Sequence, residues 1–206
     1  GEIIGKRIAK TNLDIDIVVP VPDTARPSAI TISESLKKPY REVLIKNRYT
    51  QRTFILNKQD DREKMVKLKL NVVASEVKGK NVLLVDDSIV RGTTSSRIIK
   101  LLKDNGAKNV YIASTCPPII KPCFFGIDFP NSEELIAFNK SSAEIASAIH
   151  ADGVFYLKIE ELRQAFNEVN TCKACVDGNY PIDTKDSNTM IKTRITHEKD
   201  TVPGFC

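Results

Sequence analysis

The stretch Val82-Leu83-Leu84-Val85-Asp86-Asp87-Ser88-Ile89-Val90-Arg91-Gly92-Thr93-Thr94-Ser95-Ser96-Arg97 constrains the fold more than any other part of the chain. Four consecutive apolar residues open it, the pattern of a strand buried on both faces. Two carboxylates end that run. A short loop with one glycine and several hydroxyls follows, and Ile98-Ile99-Lys100-Leu101-Leu102 then reads as the core side of a helix. Backbone N–H groups at a helix start bind an anion, whereas the carboxylates suit hydroxyls or a cation. A sugar phosphate with Mg²⁺ satisfies both ends.

The rest of the chain alternates in the same way. Ile15-Asp16-Ile17-Val18-Val19 is a strand, closed by Pro20-Val21-Pro22-Asp23-Thr24, where prolines forbid its continuation. Residues 28–36 predict a helix with Ile32 and Leu36 on one face, and Glu42-Val43-Leu44-Ile45 a second strand. Residues 59–70 are charge-dense and predict a helix. Val110-Tyr111-Ile112-Ala113 and Val154-Phe155-Tyr156-Leu157 predict further strands. Between them, Ser132 serves as N-cap of a helix carrying Leu135, Ile136 and Phe138 inward, and residues 142–149 form another. Ile159, Leu162, Phe166 and Val169 mark the last helix. This spacing predicts an α/β fold with a mostly parallel, doubly wound sheet. Ligands of such sheets bind at the carboxyl ends of strands, where Asp23-Thr24 and Asp86-Asp87 both fall.

Bulk properties narrow the partners. A length of 206 residues suits one α/β domain with extras. The net charge of +5 is mild and only 6% of residues are aromatic, which argues against nucleic acid. No run approaches the ~20 apolar residues that span a bilayer, and the start resembles the middle of a helix or linker more than a signal peptide. The cytoplasm, or an organelle matrix, is the expected compartment. The five cysteines favour thiol or metal chemistry over a disulfide scaffold. Cys172-Lys173-Ala174-Cys175 taken alone is compatible with zinc, redox or no chemistry at all.

Residues 85–95 resemble the phosphoribosyl pyrophosphate loop of type I phosphoribosyltransferases, and their wording is similar to the glutamine phosphoribosylpyrophosphate amidotransferase family. Val21-Pro22-Asp23-Thr24, Leu44-Ile45-Lys46-Asn47-Arg48-Tyr49-Thr50-Gln51-Arg52-Thr53-Phe54-Ile55, and Pro117-Pro118-Ile119 through Pro122-Cys123-Phe124-Phe125-Gly126-Ile127-Asp128 carry the same resemblance. Glu133-Glu134-Leu135-Ile136-Ala137 and Gly178-Asn179-Tyr180-Pro181 add to it. The likeness spans residues 13–181.

The resemblance implies the following roles. Asp86 and Asp87 are catalytic, holding the ribose hydroxyls and Mg²⁺, with Thr24 in the Mg²⁺ shell. Asp23 and Thr24 belong to the pyrophosphate loop, and Ser88, Arg91, Gly92, Thr93, Thr94 and Ser95 bind the 5′-phosphate. Lys46, Arg48 and Arg52 contact phosphate or nucleotide from a flexible loop, although Thr50-Gln51 stands where the family has Val-Gly. Cys123, Cys172 and Cys175 match three of the four thiolates of a [4Fe–4S] cluster, the fourth lying upstream. Cys116 is expected to be a core thiol at a strand end.

The implied activity transfers ammonia to phosphoribosyl pyrophosphate at the start of purine synthesis. A glutaminase domain outside these residues would supply the ammonia, purine nucleotides would inhibit, and the protein would form a homo-oligomer. Residues 1–12 are then a linker or helix from that domain, 13–169 the phosphoribosyltransferase domain, 170–182 the CxxC segment and 183–206 a disordered tail. A nucleobase salvage enzyme and a non-catalytic nucleotide-binding regulator are the alternatives. The Lys46–Phe54 block and the CxxC oppose the first, and the intact acidic pair and hydroxyl loop oppose the second.

Overall fold

The computed structural model describes residues 1–46, 70–125, 131–166, 169 and 171–184. The expected contacts of Arg48 and Arg52, the Thr50-Gln51 departure, the helix over 59–69 and the tail beyond 184 lie outside these residues. The core is a four-stranded parallel sheet. Its strands are β1 (Ile17–Pro20), β4 (Asn81–Asp86), β5 (Asn109–Ser114) and β6 (Gly153–Tyr156), in that spatial order. Helices α1 (Glu2–Ala9) and α2 (Arg26–Leu36) pack on one another, with α2 on β1. Helix α4 (Thr93–Asp104) packs on β5, and α5 (Ser142–Ala148) on β6. The short helices are α3 (Ala74–Val77), α6 (Ile159–Ala165) and α7 (Ala174–Asp177). Among the described residues no helix is long and apolar enough to cross a membrane.

The apolar run of β4 explains its central place. Val82, Leu83, Leu84 and Val85 are all fully buried, and each such side chain contributes roughly 1.5–3 kcal/mol of burial. At the amino end of the strand, Asn81 donates from its backbone to Asp16 (2.7 Å) and from its side chain to Asp14 (2.9 Å). Its own side-chain oxygen accepts from Asn109 at 2.8 Å. These bonds satisfy a buried amide and pin three segments in register.

Beyond β1 the sheet gains one more partner. Val18 accepts from Arg41 and donates to Pro39, both at 2.9 Å. Val21, three residues on, donates instead to Val85 of β4. Alternate residues of a parallel strand bond to opposite neighbours, so Tyr40 and β4 flank β1 on its two sides. The chain leaves β1 one way and returns the other, which is a topological switch point between β1 and β4.

Several elements depart from expectation. Leu70 begins a strand, β3 (Leu70–Val72), and does not end a helix. It pairs antiparallel with β2 (Leu44–Lys46), Lys46 standing opposite Leu70. Ser132 is not an N-cap: Asn131 is, accepting from Glu133 N at 3.0 Å, and the element is a single 3₁₀ turn, Ser132–Glu134. Leu135 and Ile136 are nonetheless buried. Helix α6 stops at Ala165, and Phe166 and Val169 are exposed. Helix α5 begins with a capping box, Ser141 with Glu144.

Candidate active site

The switch point brings two loops together. Val21 N–H donates to Val85 at 2.8 Å, carrying the β1 pairing one step beyond the strand. The chain then turns through a cis Pro22-Asp23 bond. Thr24 Oγ1 reaches across and donates to Asp87 Oδ2 at 2.8 Å. Asp87 Oδ1 accepts from Ser88 N–H at 2.7 Å, and Asp86 Oδ1 accepts from Asp87 N–H at 2.9 Å. Thr24 and Asp87 are exposed, whereas Asp86 is buried. Lys46 Nζ lies 3.5 Å from Asp23 Oδ2.

Below the acidic pair the chain enters α4 through Gly92, whose φ of 75° is left-handed. No side chain caps this helix. Its first backbone bond runs from Ser96 N–H to Gly92 at 2.8 Å, so the N–H groups of residues 93–95 have no partner within the helix and face an anion by preference. A cavity of about 780 Å³ opens here. Asp86, Ser88 and residues 90–95 line it, together with Cys116, Ile119 and Cys175.

The loop is braced from behind. Arg91 Nε and Nη2 both contact Glu134 Oε2, at 2.7 and 2.6 Å. Ile136 N–H donates to Val90 at 2.9 Å. The Arg91 side chain is thus paired with a carboxylate. Sequence reasoning also missed Glu134 as a contact and Cys116 as part of the cavity wall. The one signal available for Glu134 was its place in a family motif.

Burial first, and the charge of Asp87 second, push the Asp86 carboxyl up to about 7. The ordinary value is 3.8. Between these limits the folded protein holds the proton more tightly than the unfolded chain. Stability therefore falls as pH rises through that window and stays at its lower level above it. Asp86→Asn keeps an oxygen for the Asp87 N–H and removes the buried charge. In Mg²⁺-free buffer we expect it to raise Tm by roughly 5–10 °C at pH 8 and by less at pH 5. An equal gain at both pH values in a melting series would contradict this origin.

The donor set suits Mg²⁺. Hard oxygens from two carboxylates and one hydroxyl leave room for substrate phosphates, the usual composition of such sites. Among the described residues no three His, Cys, Asp or Glu side chains are gathered to hold a metal ion by themselves.

Cys175, on the cavity wall, belongs to the CxxC motif. Cys123 and Cys175 are half-buried and Cys172 is exposed. Burial raises the Cys175 thiol, and Cys123 and Cys172 add to the rise in that order around opposing backbone hydrogen bonding. The carbonyl of Cys175 accepts from the N–H groups of Ile120 and Lys121 at 2.9 and 3.0 Å. Tyr180 Oη donates to Pro122 at 2.8 Å, and its ring lies 4.8 Å from Phe124. The CxxC helix is thereby fastened to the segment bearing Cys123. Thiolates are the ligands an iron–sulfur cluster takes, but it needs four, and among the described residues Cys123, Cys172 and Cys175 are not gathered into a three-ligand metal group. Cys116 is half-buried, packs with the same apolar cluster, and is raised to about 11, by burial first and then by Cys175.

An anion cradle at a helix start, with an acidic pair at the switch point of a parallel sheet, defines a phosphoribosyltransferase-type site. The family model of the phosphoribosyl transferase domain matches residues 1–122, and the chain belongs to that family. Within it, the chain is 50% identical over 179 residues to the amidophosphoribosyltransferase of Methanocaldococcus jannaschii, covering 86% of this chain and 38% of the relative. It is 44% identical over 197 residues to that of Synechococcus elongatus, covering 92% and 40%. The solved structure of glutamine phosphoribosylpyrophosphate (PRPP) amidotransferase from B. subtilis complexed with ADP and GMP superposes with a TM-score of 0.77. That match has 42% identity and covers 88% of this chain and 42% of that one. The chain therefore spans about two fifths of the length of the curated relatives it matches.

Proposed function

We propose that this chain binds phosphoribosyl pyrophosphate with Mg²⁺ and transfers an amino group to it, giving 5-phosphoribosylamine and pyrophosphate, the first committed step of purine synthesis. The Thr24–Asp87 hydrogen bond, which joins the two loops of the switch point above an uncapped helix start, carries this reading. Membership of the phosphoribosyl transferase family and the likeness to amidophosphoribosyltransferases support it.

In this reaction the bond from the anomeric carbon to pyrophosphate breaks, and its electron pair leaves with pyrophosphate. The nitrogen lone pair of ammonia forms the new bond, and the nitrogen gives up one proton. The transition state joins a cationic sugar to an anionic leaving group, so both charges need fixed partners. The N–H groups of residues 93–95, with the hydroxyls of Ser88, Thr93, Thr94 and Ser95, would hold the 5′-phosphate. Asp86 and Asp87 would orient the ribose hydroxyls and favour the electron-poor ring. Asp23, Thr24 and Lys46 would meet the diphosphate, and Asp86, Asp87 and Thr24 would hold Mg²⁺. When bound, that ion neutralises charge on the departing pyrophosphate.

Residues 13–169 would form the transferase domain and residues 170–182 the thiol segment. Cys123, Cys172 and Cys175 would supply three thiolates to a [4Fe–4S] cluster. Glutamine-derived ammonia from a further domain, homo-oligomers, and purine nucleotides as inhibitors follow the same likeness, the B. subtilis structure being a complex with ADP and GMP. The decisive measurement is pyrophosphate release by the 206-residue chain with each nitrogen donor. Turnover with ammonium and none with glutamine is expected; equal rates would contradict the division of labour. Iron and sulfide analysis of the intact protein purified without oxygen checks the cluster, and colourless iron-free protein would remove it.

A further inference from the structure

A line of side chains ties the loop after β1 to the root of the β2–β3 hairpin, and Glu42 stands at its centre. Glu42 Oε1 accepts from Arg26 Nε at 3.0 Å and from Tyr40 Oη at 2.8 Å, while Oε2 accepts from Arg26 Nη2 at 3.1 Å. Arg26 Nη1 donates in turn to Asp23 Oδ1 at 2.8 Å. Lys46 Nζ approaches the other oxygen of Asp23. The Arg26 hydrogen bonds first, and Tyr40 second, hold the Glu42 carboxyl below its ordinary range, so it is ionised at neutral pH.

The Glu42 end of this line is fixed by the core. Tyr40 is bridged to Val18 of β1, and Val43 and Leu44 are buried directly after Glu42. A two-pronged contact between guanidinium and carboxylate sets direction as well as distance. Arg26 and Glu42 keep 34% and 45% of their side-chain surface exposed, where an ion pair adds little to stability. Its geometry therefore matters more than its strength. Without Glu42, Arg26 would keep its contact to Asp23 through one guanidinium nitrogen, with the fork that sets its direction lost.

We propose that Glu42 is a positioning residue for the diphosphate end of the substrate. It holds Arg26 in a fork, and Arg26 holds Asp23, so residues 23–24 meet the diphosphate in one arrangement. The inference rests on the phosphoribosyl pyrophosphate reading above. Its consequence is one-sided, because the 5′-phosphate cradle is built on β4 and the start of α4 and is braced separately through Glu134.

The test is calorimetric titration of the intact protein with pyrophosphate plus Mg²⁺, and separately with ribose 5-phosphate. Glu42→Gln is expected to weaken pyrophosphate about 5- to 10-fold, the loss of a charge-assisted contact, and to leave ribose 5-phosphate within about twofold. In turnover, KM for phosphoribosyl pyrophosphate rises while kcat holds. Tyr40→Phe leaves the fork intact and is expected to cost pyrophosphate no more than about twofold. Unchanged or tighter pyrophosphate binding by Glu42→Gln overturns the proposal. Equal weakening of both ligands also overturns it, since that marks a general structural role. A parent protein that binds neither ligand overturns the substrate reading itself, and this inference with it.

Discussion

Replacing Asp87 with asparagine is expected to lower ammonia-dependent turnover about 100- to 1,000-fold, the usual cost of removing one preorganised charge contact, with the fold intact. Asp87 is exposed at the end of β4, and its side chain accepts from Thr24 and from the N–H of Ser88. Asparagine keeps an oxygen for Ser88, and its amide group can donate to the Thr24 hydroxyl. Local hydrogen bonding survives and the negative charge does not. Melting temperature should move by no more than about 2 °C, as for exposed substitutions in general. The same variant should bind ribose 5-phosphate through an unaltered helix start. Initial rates of pyrophosphate release, measured beside a melting curve, test both halves. A near-parent rate would mean that the reacting centre lies elsewhere.

Gly92→Ala should act through the fold. Two costs coincide at this position. The φ of 75° disfavours any residue with a Cβ, by ~1–2 kcal/mol. An added Cβ would also stand 2.3 Å from Ile136 Cδ1 and 2.9 Å from Ile149 Cγ2. Both isoleucines are buried, and Ile136 is bonded through its N–H to Val90, so neither can withdraw freely. Overpacking of this kind costs ~1–3 kcal/mol. Together these lower Tm by roughly 5–15 °C in a chain of this size and push the N–H groups of residues 93–95 out of line. Loss of ribose 5-phosphate binding is the expected functional result. Gly79→Ala is the comparison: φ there is 73°, with nothing within 4 Å of the added carbon. If the two variants melt alike, the packing part of this account is wrong.

What was legible in the sequence was whatever depended on local pattern. An unbroken apolar run read as a buried strand because burial on both faces needs no alternation, and β4 begins one residue before the run and ends one after it. Asp86, Asp87 and Thr24 were legible because strand ends in such sheets converge. Arg26, Tyr40, Glu42 and Glu134 were not. Glu42 and Glu134 are exposed and Arg26 and Tyr40 half-buried; Arg26 meets Glu42 and Glu134 meets Arg91 only once the chain has folded, and Tyr40 acts through Glu42. The three-residue strand β3 is too short to show a period, so the charged run ending at Leu70 reads as helical throughout. Phe166 and Val169 kept helical spacing beyond the point where α6 ends, since spacing reports which face a residue would occupy and not whether anything covers it. Cys116 read as a core thiol because a strand end was its only visible context; its place on a cavity wall depends on Cys175, brought in from the far side of the chain.

The pairing of β1 with β4 also sets an order of events during synthesis. Ile17 stands opposite Val82, so all of the α2, β2 and β3 sequence must leave the ribosome before β1 meets that neighbour. At about 5–20 residues per second, the wait lasts on the order of several seconds. Through that interval four strand residues destined for full burial have at most the Tyr40 edge and α2 for cover. Parallel pairing over such separations forms slowly because loop closure precedes any contact. The ligand cavity comes later still, since its last wall residue, Cys175, follows β6 in the chain. A nascent chain is therefore without this complete cavity until nearly all of the described fold has been made.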